Sequence, residues 1–144
     1  MTKILVPVDG SAASVRAVRL AIDHVKALRA EASLILVNVQ NFSTLGLPEG
    51  TEIMPAAWIA EKEESAAREA LKEAVAVCRE AGIGYVTRAE RGGVAQAIDR
   101  VARKERVVHI FMGTRGLGGV RGLLLGSVAT QLLHLVDVPT TLVK

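Results

Sequence analysis

The chain has 144 residues, half of them apolar but only 3% aromatic, with a formal net charge of +3 and a single cysteine. That length suits one domain spanning residues 1–144, able to bury roughly two-thirds of its unfolded surface in a core of Val, Leu, Ile and Ala. One cysteine, Cys78, excludes an internal disulfide framework or a multi-thiolate metal cluster, and the scarcity of aromatics argues against a stacking platform for single-stranded nucleic acid.

Residues 4–8 form a short apolar run closed by Asp9-Gly10-Ser11, the pattern of a strand buried on both faces. Pro7 belongs near its carboxyl end, where ladder bonding gives out. Ser11 is placed to cap a helix with Val15, Val18, Ile22 and Val25 on one face. Residues 33–39 give a second buried strand. Residues 40–57 lack periodicity and hold Gly46, Pro48, Gly50 and Pro55, which reads as a lid or a disordered loop. In it, Phe42, Leu45, Leu47 and Met54 are candidates to fold over a ligand, to bury under the loop or to touch a second copy.

A charged helix follows over residues 58–81, with Ala67, Leu71, Ala74 and Cys78 on its buried stripe and Glu64 paired with Arg68 on its wet side. Gly82 and Gly84 end it. A weaker strand covers 84–90, a helix carries Val94, Ile98 and Val101, and a fourth strand covers 107–112. A last helix spans 126–136 and a last strand 140–143. Strands alternating with helices mean βαβ units and a parallel sheet, a Rossmann-like α/β fold with helices on both faces. Ligands bind such sheets at the carboxyl ends of the strands.

The chemistry concentrates in residues 112–128, which hold six of the thirteen glycines. Glycine at that density between a strand and a helix lets backbone N–H groups approach an anion. Residues 99–121 carry six Lys or Arg against two acids, a skew that suits a small polyanion, although a solvated helix face accounts for most of it. Walker A fails, because no lysine precedes Ser127. The dinucleotide fingerprint fails too, because the first turn, Val8-Asp9-Gly10-Ser11, lacks it. What fits is Gly113, two residues, Gly116, nine residues, Gly126, then Ser127. Gly126 and Ser127 open a helix whose orphan N–H groups and dipole receive a phosphate, with the Ser127 hydroxyl donating to the same group. Asp9, at a strand end in the expected crevice, is the best polar candidate after the glycines, against the alternative of a plain turn aspartate. Arg121 is balanced between a γ-phosphate and solvent. His24, His109 and His134 are scattered singly and read as structural.

This spacing resembles the ATP-binding signature of the universal stress protein family. The opening Ile4-Leu5-Val6-Pro7-Val8-Asp9-Gly10-Ser11 and the ending Val138-Pro139-Thr140-Thr141-Leu142-Val143 resemble that family too. The resemblance implies a five-stranded parallel sheet in order 3-2-1-4-5 and a homodimer through the last strand. It also implies adenine and ribose near Pro7, Val8, Asp9, Val39 and Met112. Phosphates would lie on Gly113, Arg115, Gly116, Gly126, Ser127 and Val128, with Mg or Mn reached through Asp9 by way of the phosphates. The chain departs from the family habit at Asn38, at Val108-His109 and at Thr140-Thr141. The function it implies is a cytoplasmic, ATP-binding stress-response regulator or switch, acting on a protein partner and not on nucleic acid or membrane. The alternatives are a slow ATP hydrolase and a nucleotide-independent interaction module. No secretory leader and no apolar run of about 18 residues is seen.

Overall fold

The computed structural model describes residues 1–116 and 125–144, with residues 42 and 43 described as backbone only. Gly118, Gly119, Arg121 and Gly122 of the glycine segment, and the Phe42 side chain, lie outside the described residues. Strand β1 (Thr2–Pro7) leads to α1 (Ala12–Ala27) and β2 (Ala32–Gln40). A single helical turn, α2 (Phe42–Leu45), and a 3-10 turn (Thr51–Ile53) precede the long helix α3 (Ala56–Ala81). Then come β3 (Tyr85–Arg91), α4 (Val94–Glu105), β4 (His109–Gly113), α5 (Ser127–Leu135) and β5 (Thr140–Val143). The five strands form one sheet in the order β3-β2-β1-β4-β5, and every pairing is parallel. The expected topology is therefore present.

Alternation within the strands builds two cores at once, because successive side chains leave a strand on opposite faces. Ile4 and Val6 of β1, Leu34 and Leu36 of β2 and Phe111 of β4 pack with α1 and α3. Leu5, Ile35, Val37, Ile110 and Met112 pack on the other face with α4 and α5. Ile4, Leu5 and Val6 are all fully buried, so the central strand has no polar side and is covered on both faces. Its amino end is tied down separately: Lys3 of β1 and Arg88 of β3 each lie 2.9 Å from the Glu105 carboxylate of α4.

The caps follow from residue type. Ser11 Oγ accepts the Ser14 amide at 3.2 Å and starts α1 as expected. Gly82, at φ 67°, stops α3, and the Ile83 amide reaches back to the Cys78 carbonyl at 3.1 Å. Trp58 is half-buried in the first turn of α3, with Lys62 Nζ 5.4 Å from its ring centroid. Glu64 and Arg68 pair at 2.9 Å.

Most element ends shift by one or two residues from expectation, β1 ending at Pro7 and not Val8, and two further differences stand out. Val107 does not lengthen β4: Arg106 turns the chain at φ 55°, and the Val107 amide closes α4 on the Ala102 carbonyl. The connection after β2 is not structureless, since Asn41 and Thr44 cap one another across α2.

Candidate functional site

The strand order reverses at β1: its connection through α1 leads to β2 on one side, while β4 lies on the other. At that switch point the carboxyl ends of β1, β2 and β4 open into a cleft of about 830 Å³. Its size falls within the range of ligand pockets. Pro7, Val8 and Asp9 enter it from the end of β1, Val39 from β2, and Met112 and Gly113 from β4. Arg115, Gly116, Gly126, Ser127 and Val128 line it from the loop and from the start of α5. These eleven residues thus border one cavity, whereas Leu47 and Met54 of the connection after β2 do not line it.

One wall is apolar. Val37, Val39, Ile98 and Met112 belong to the core layer under α4 and α5, and Leu45 joins the lining from α2. Polar residues line the cleft too, among them Ser11, Ser14, Thr114, Arg115 and Ser127. The two helix N-termini there differ. In α1 the Ser11 side chain serves the Ser14 amide, and the Ser11 amide itself donates to Asp9 Oδ1 at 2.9 Å. Helix α5 begins at Gly126, which has no side chain to offer its first turn. Among the described residues no side chain caps that first turn, and Ser127 and Val128 line the cleft there, so an anion is a natural acceptor for their amides.

The three signature glycines do three different things. A Cβ on Gly116 would collide with Asp9 Oδ2, so the loop lies directly on that carboxylate. A Cβ on Gly126 would stand 3.2 Å from the Thr114 carbonyl oxygen, which already accepts the Gly126 amide at 2.5 Å. Gly113 is small for a packing reason. Its Cβ would lie 3.0 Å from Ala13 Cβ and 3.3 Å from the Ser14 amide nitrogen, where β4 meets α1.

Several lining residues were not assigned to the site from sequence. Asn38, noted above only as a departure from the family, and Gln40, at the carboxyl end of β2, are both buried polar side chains on the cleft. Glu69 and Ala70 line the cleft from α3, and Gly10, at φ 86°, lets that helix approach until Ala70 Cα is 3.4 Å from where a Cβ would be. Nothing in the sequence marks those two.

Other candidates lie elsewhere. Of the basic run, Arg100 and Arg103 are engaged with Glu90, Asp99 and Asp137, and Arg115 borders the cleft. The histidines are not all scattered. His24 and His109 have ring centroids 5.5 Å apart, His109 stacks on Phe111 at 4.6 Å, and its Nε2 lies 2.8 Å from Thr141 Oγ1. Two of the departures noted above, His109 and Thr141, are therefore bonded to each other. Burial, then the neighbouring His24, holds the His109 pKa below its ordinary value. Among the described residues no three His, Cys, Asp or Glu side chains converge on a metal position.

The model of the universal stress protein family matches residues 1–144. The chain belongs to that family. It is 35% identical over 144 residues to universal stress protein MJ0531 of Methanocaldococcus jannaschii, covering 99% of this chain and 81% of the relative. It is 30% identical to universal stress protein YxiE of Bacillus subtilis, covering 99% and 98%. Among solved structures, hypothetical protein MJ0577 superposes with a TM-score of 0.82 at 22% identity, covering 99% and 95%. The Archaeoglobus fulgidus universal stress protein in complex with dAMP superposes at 0.70 and 22% identity, covering 100% and 98%. At such identities these likenesses establish the fold. Family members have also been solved in complex with cAMP and with AMP.

Proposed function

We propose that this universal stress protein binds an adenine nucleotide, ATP above all, in the cleft at the β1–β4 switch point, and acts as a stress-response regulator whose nucleotide state sets the shape presented to a protein partner. The observation that carries the reading is the pairing, in one cavity, of an apolar wall with the first turn of α5, which no side chain caps among the described residues. A planar base suits the first and a phosphate the second. Solved relatives in complex with dAMP, cAMP and AMP support the choice of base.

On this reading the base lies against Val8, Val39 and Met112, the ribose beside Asp9, and the phosphates on Gly116, Ser127 and Val128 within reach of Arg115. Charge-assisted bonds of about 1.5–3 kcal/mol each, three or four in number, leave micromolar affinity after ordering costs. Asp9 is a single hard-oxygen ligand, which fits Mg²⁺ or Mn²⁺ that arrives already held by phosphates and not a metal fixed by the protein. The outer edge of β5 is the surface for a homodimer.

A thermal-shift panel of ATP, ADP, AMP, cAMP and GTP, with and without Mg²⁺ or Mn²⁺, tests the reading. Adenine nucleotides should stabilise the protein by about 2.7 kcal/mol at a hundredfold excess over the dissociation constant. Gly116→Val should abolish the shift while the protein stays folded. Absence of any shift with every adenine nucleotide would leave a nucleotide-independent interaction module.

A further inference from the structure

A chain of side-chain hydrogen bonds runs along the cleft from β1 to α2. Asn38 Nδ2 donates to the Val8 carbonyl at 2.8 Å, Gln40 Nε2 donates to Asn38 Oδ1 at 2.8 Å, and Thr44 Oγ1 donates to Gln40 Oε1 at 2.7 Å. Val8, Asn38, Gln40 and Thr44 all line the cleft, and Leu45 lines it next to Thr44. Asn38 is only 2% exposed and Gln40 8%, so their amides are not idle surface groups.

Helix α2 is one turn long, too short to persist on its own. Its place is fixed by bonds. The Asn41 amide donates to Thr44 Oγ1 at 2.7 Å, the Thr44 amide to Asn41 Oδ1 at 2.9 Å, and Asn41 Nδ2 to the Gly92 carbonyl at 2.7 Å. The single Thr44 hydroxyl hydrogen has two acceptors in range, Gln40 Oε1 and, at 2.9 Å, the Asn41 carbonyl. The first of these joins the turn to the buried amides. The phosphate end of the cleft is made by other elements, the loop after β4 and the start of α5.

We infer that Gln40 and Thr44 are positioning residues for the base: their Thr44–Gln40–Asn38 bonds hold α2, and with it Leu45, as a preformed wall against which the ring stacks. This rests on the nucleotide reading. When the latch is cut, the wall must be ordered by the ligand, and apparent affinity falls by the fraction of molecules already competent. The loss falls on base-bearing ligands and not on the phosphate.

Dissociation constants for AMP and for ribose 5-phosphate, measured on wild type, Thr44→Val and Thr44→Ser, give the test, together with amide hydrogen exchange at Leu45, whose N–H bonds the Asn41 carbonyl. Thr44→Val removes both the bond to Gln40 and the acceptor of the Asn41 amide, and should weaken AMP about five- to hundredfold, the worth of two hydrogen bonds, leave ribose 5-phosphate unchanged and speed exchange at Leu45. Thr44→Ser, which keeps the hydroxyl, should behave as wild type. Equal losses for both ligands, or unchanged exchange at Leu45 in Thr44→Val, overturn the inference. Wild-type protein that binds neither compound overturns the nucleotide reading and the base role with it, and is told apart because the exchange comparison still reads the latch.

Discussion

Gly113 and Gly116 belong to the same signature yet should fail differently when given a methyl group. In Gly113→Ala the new Cβ lies 3.0 Å from Ala13 Cβ, 3.2 Å from the Ala13 carbonyl carbon and 3.3 Å from the Ser14 amide nitrogen. Two of those three atoms are backbone in the first turn of α1, and that turn is clamped by the Ser11 cap and by Ser14 Oγ on the Ser11 carbonyl at 2.8 Å. Relief therefore requires helix and strand to part by a few tenths of an ångström, overpacking that costs about 1–3 kcal/mol. With a urea slope of about 2 kcal/mol per molar, the denaturation midpoint should fall by about 0.5–1.5 M with the slope unchanged. AMP affinity should change little. In Gly116→Ala the methyl meets only side-chain atoms of Asp9 and no backbone, so the stability cost should be smaller than for Gly113→Ala while AMP binding is lost. Urea unfolding followed by circular dichroism, with calorimetry on the same two variants, separates them. A Gly113→Ala protein as stable as wild type refutes the packing argument.

Two further outcomes follow from titratable groups. His109 binds protons less readily in the folded protein than in the unfolded chain, so it contributes stability above the ordinary histidine value of about 6.5, and that contribution is lost as pH falls through this value toward the lower folded pKa. His109→Gln, which still reaches Thr141 but does not titrate, should flatten the dependence of melting temperature on pH between about 5 and 7; an unchanged slope refutes it. Burial pushes the Cys78 thiol up to about 11, so native protein should resist a thiol reagent near neutral pH and react only on unfolding. Prompt labelling of the folded protein would contradict that.

Much of this architecture is legible in the chain because its local signals agree. Ile4-Leu5-Val6 is apolar at every position, so a doubly covered strand is the only economical reading, and Ser11 stands where a cap must be. The errors have physical causes. Val107 looks like strand because it is apolar and β-branched, but its role is to plug the end of α4, and Val108 is 52% exposed. The α2 turn has no periodicity to detect, being held by Asn41 and Thr44 side chains. His24 and His109 meet only because α1 lies across β4, a contact no local pattern records. The glycine spacing marks where the cleft lies, yet one-letter identity does not distinguish a glycine that yields to helix α1 from one that yields to Asp9.

The position of β1 in the sheet bears on how the chain is made. Leu5 pairs with Ile35 on one side and with Ile110 on the other, so β1 has both edges paired only once β4, far along the chain, has been made. β1, β2 and β3 can assemble early and leave the apolar, doubly buried strand with one bare edge until residues 109–113 emerge. At ordinary translation speeds that wait lasts on the order of several seconds, ample time for edge-to-edge pairing between nascent chains. Low temperature, slow synthesis or a rare-codon pause between α3 and β4 should lower soluble yield, and substitutions in β4 should be felt in biogenesis before they are felt in the finished protein.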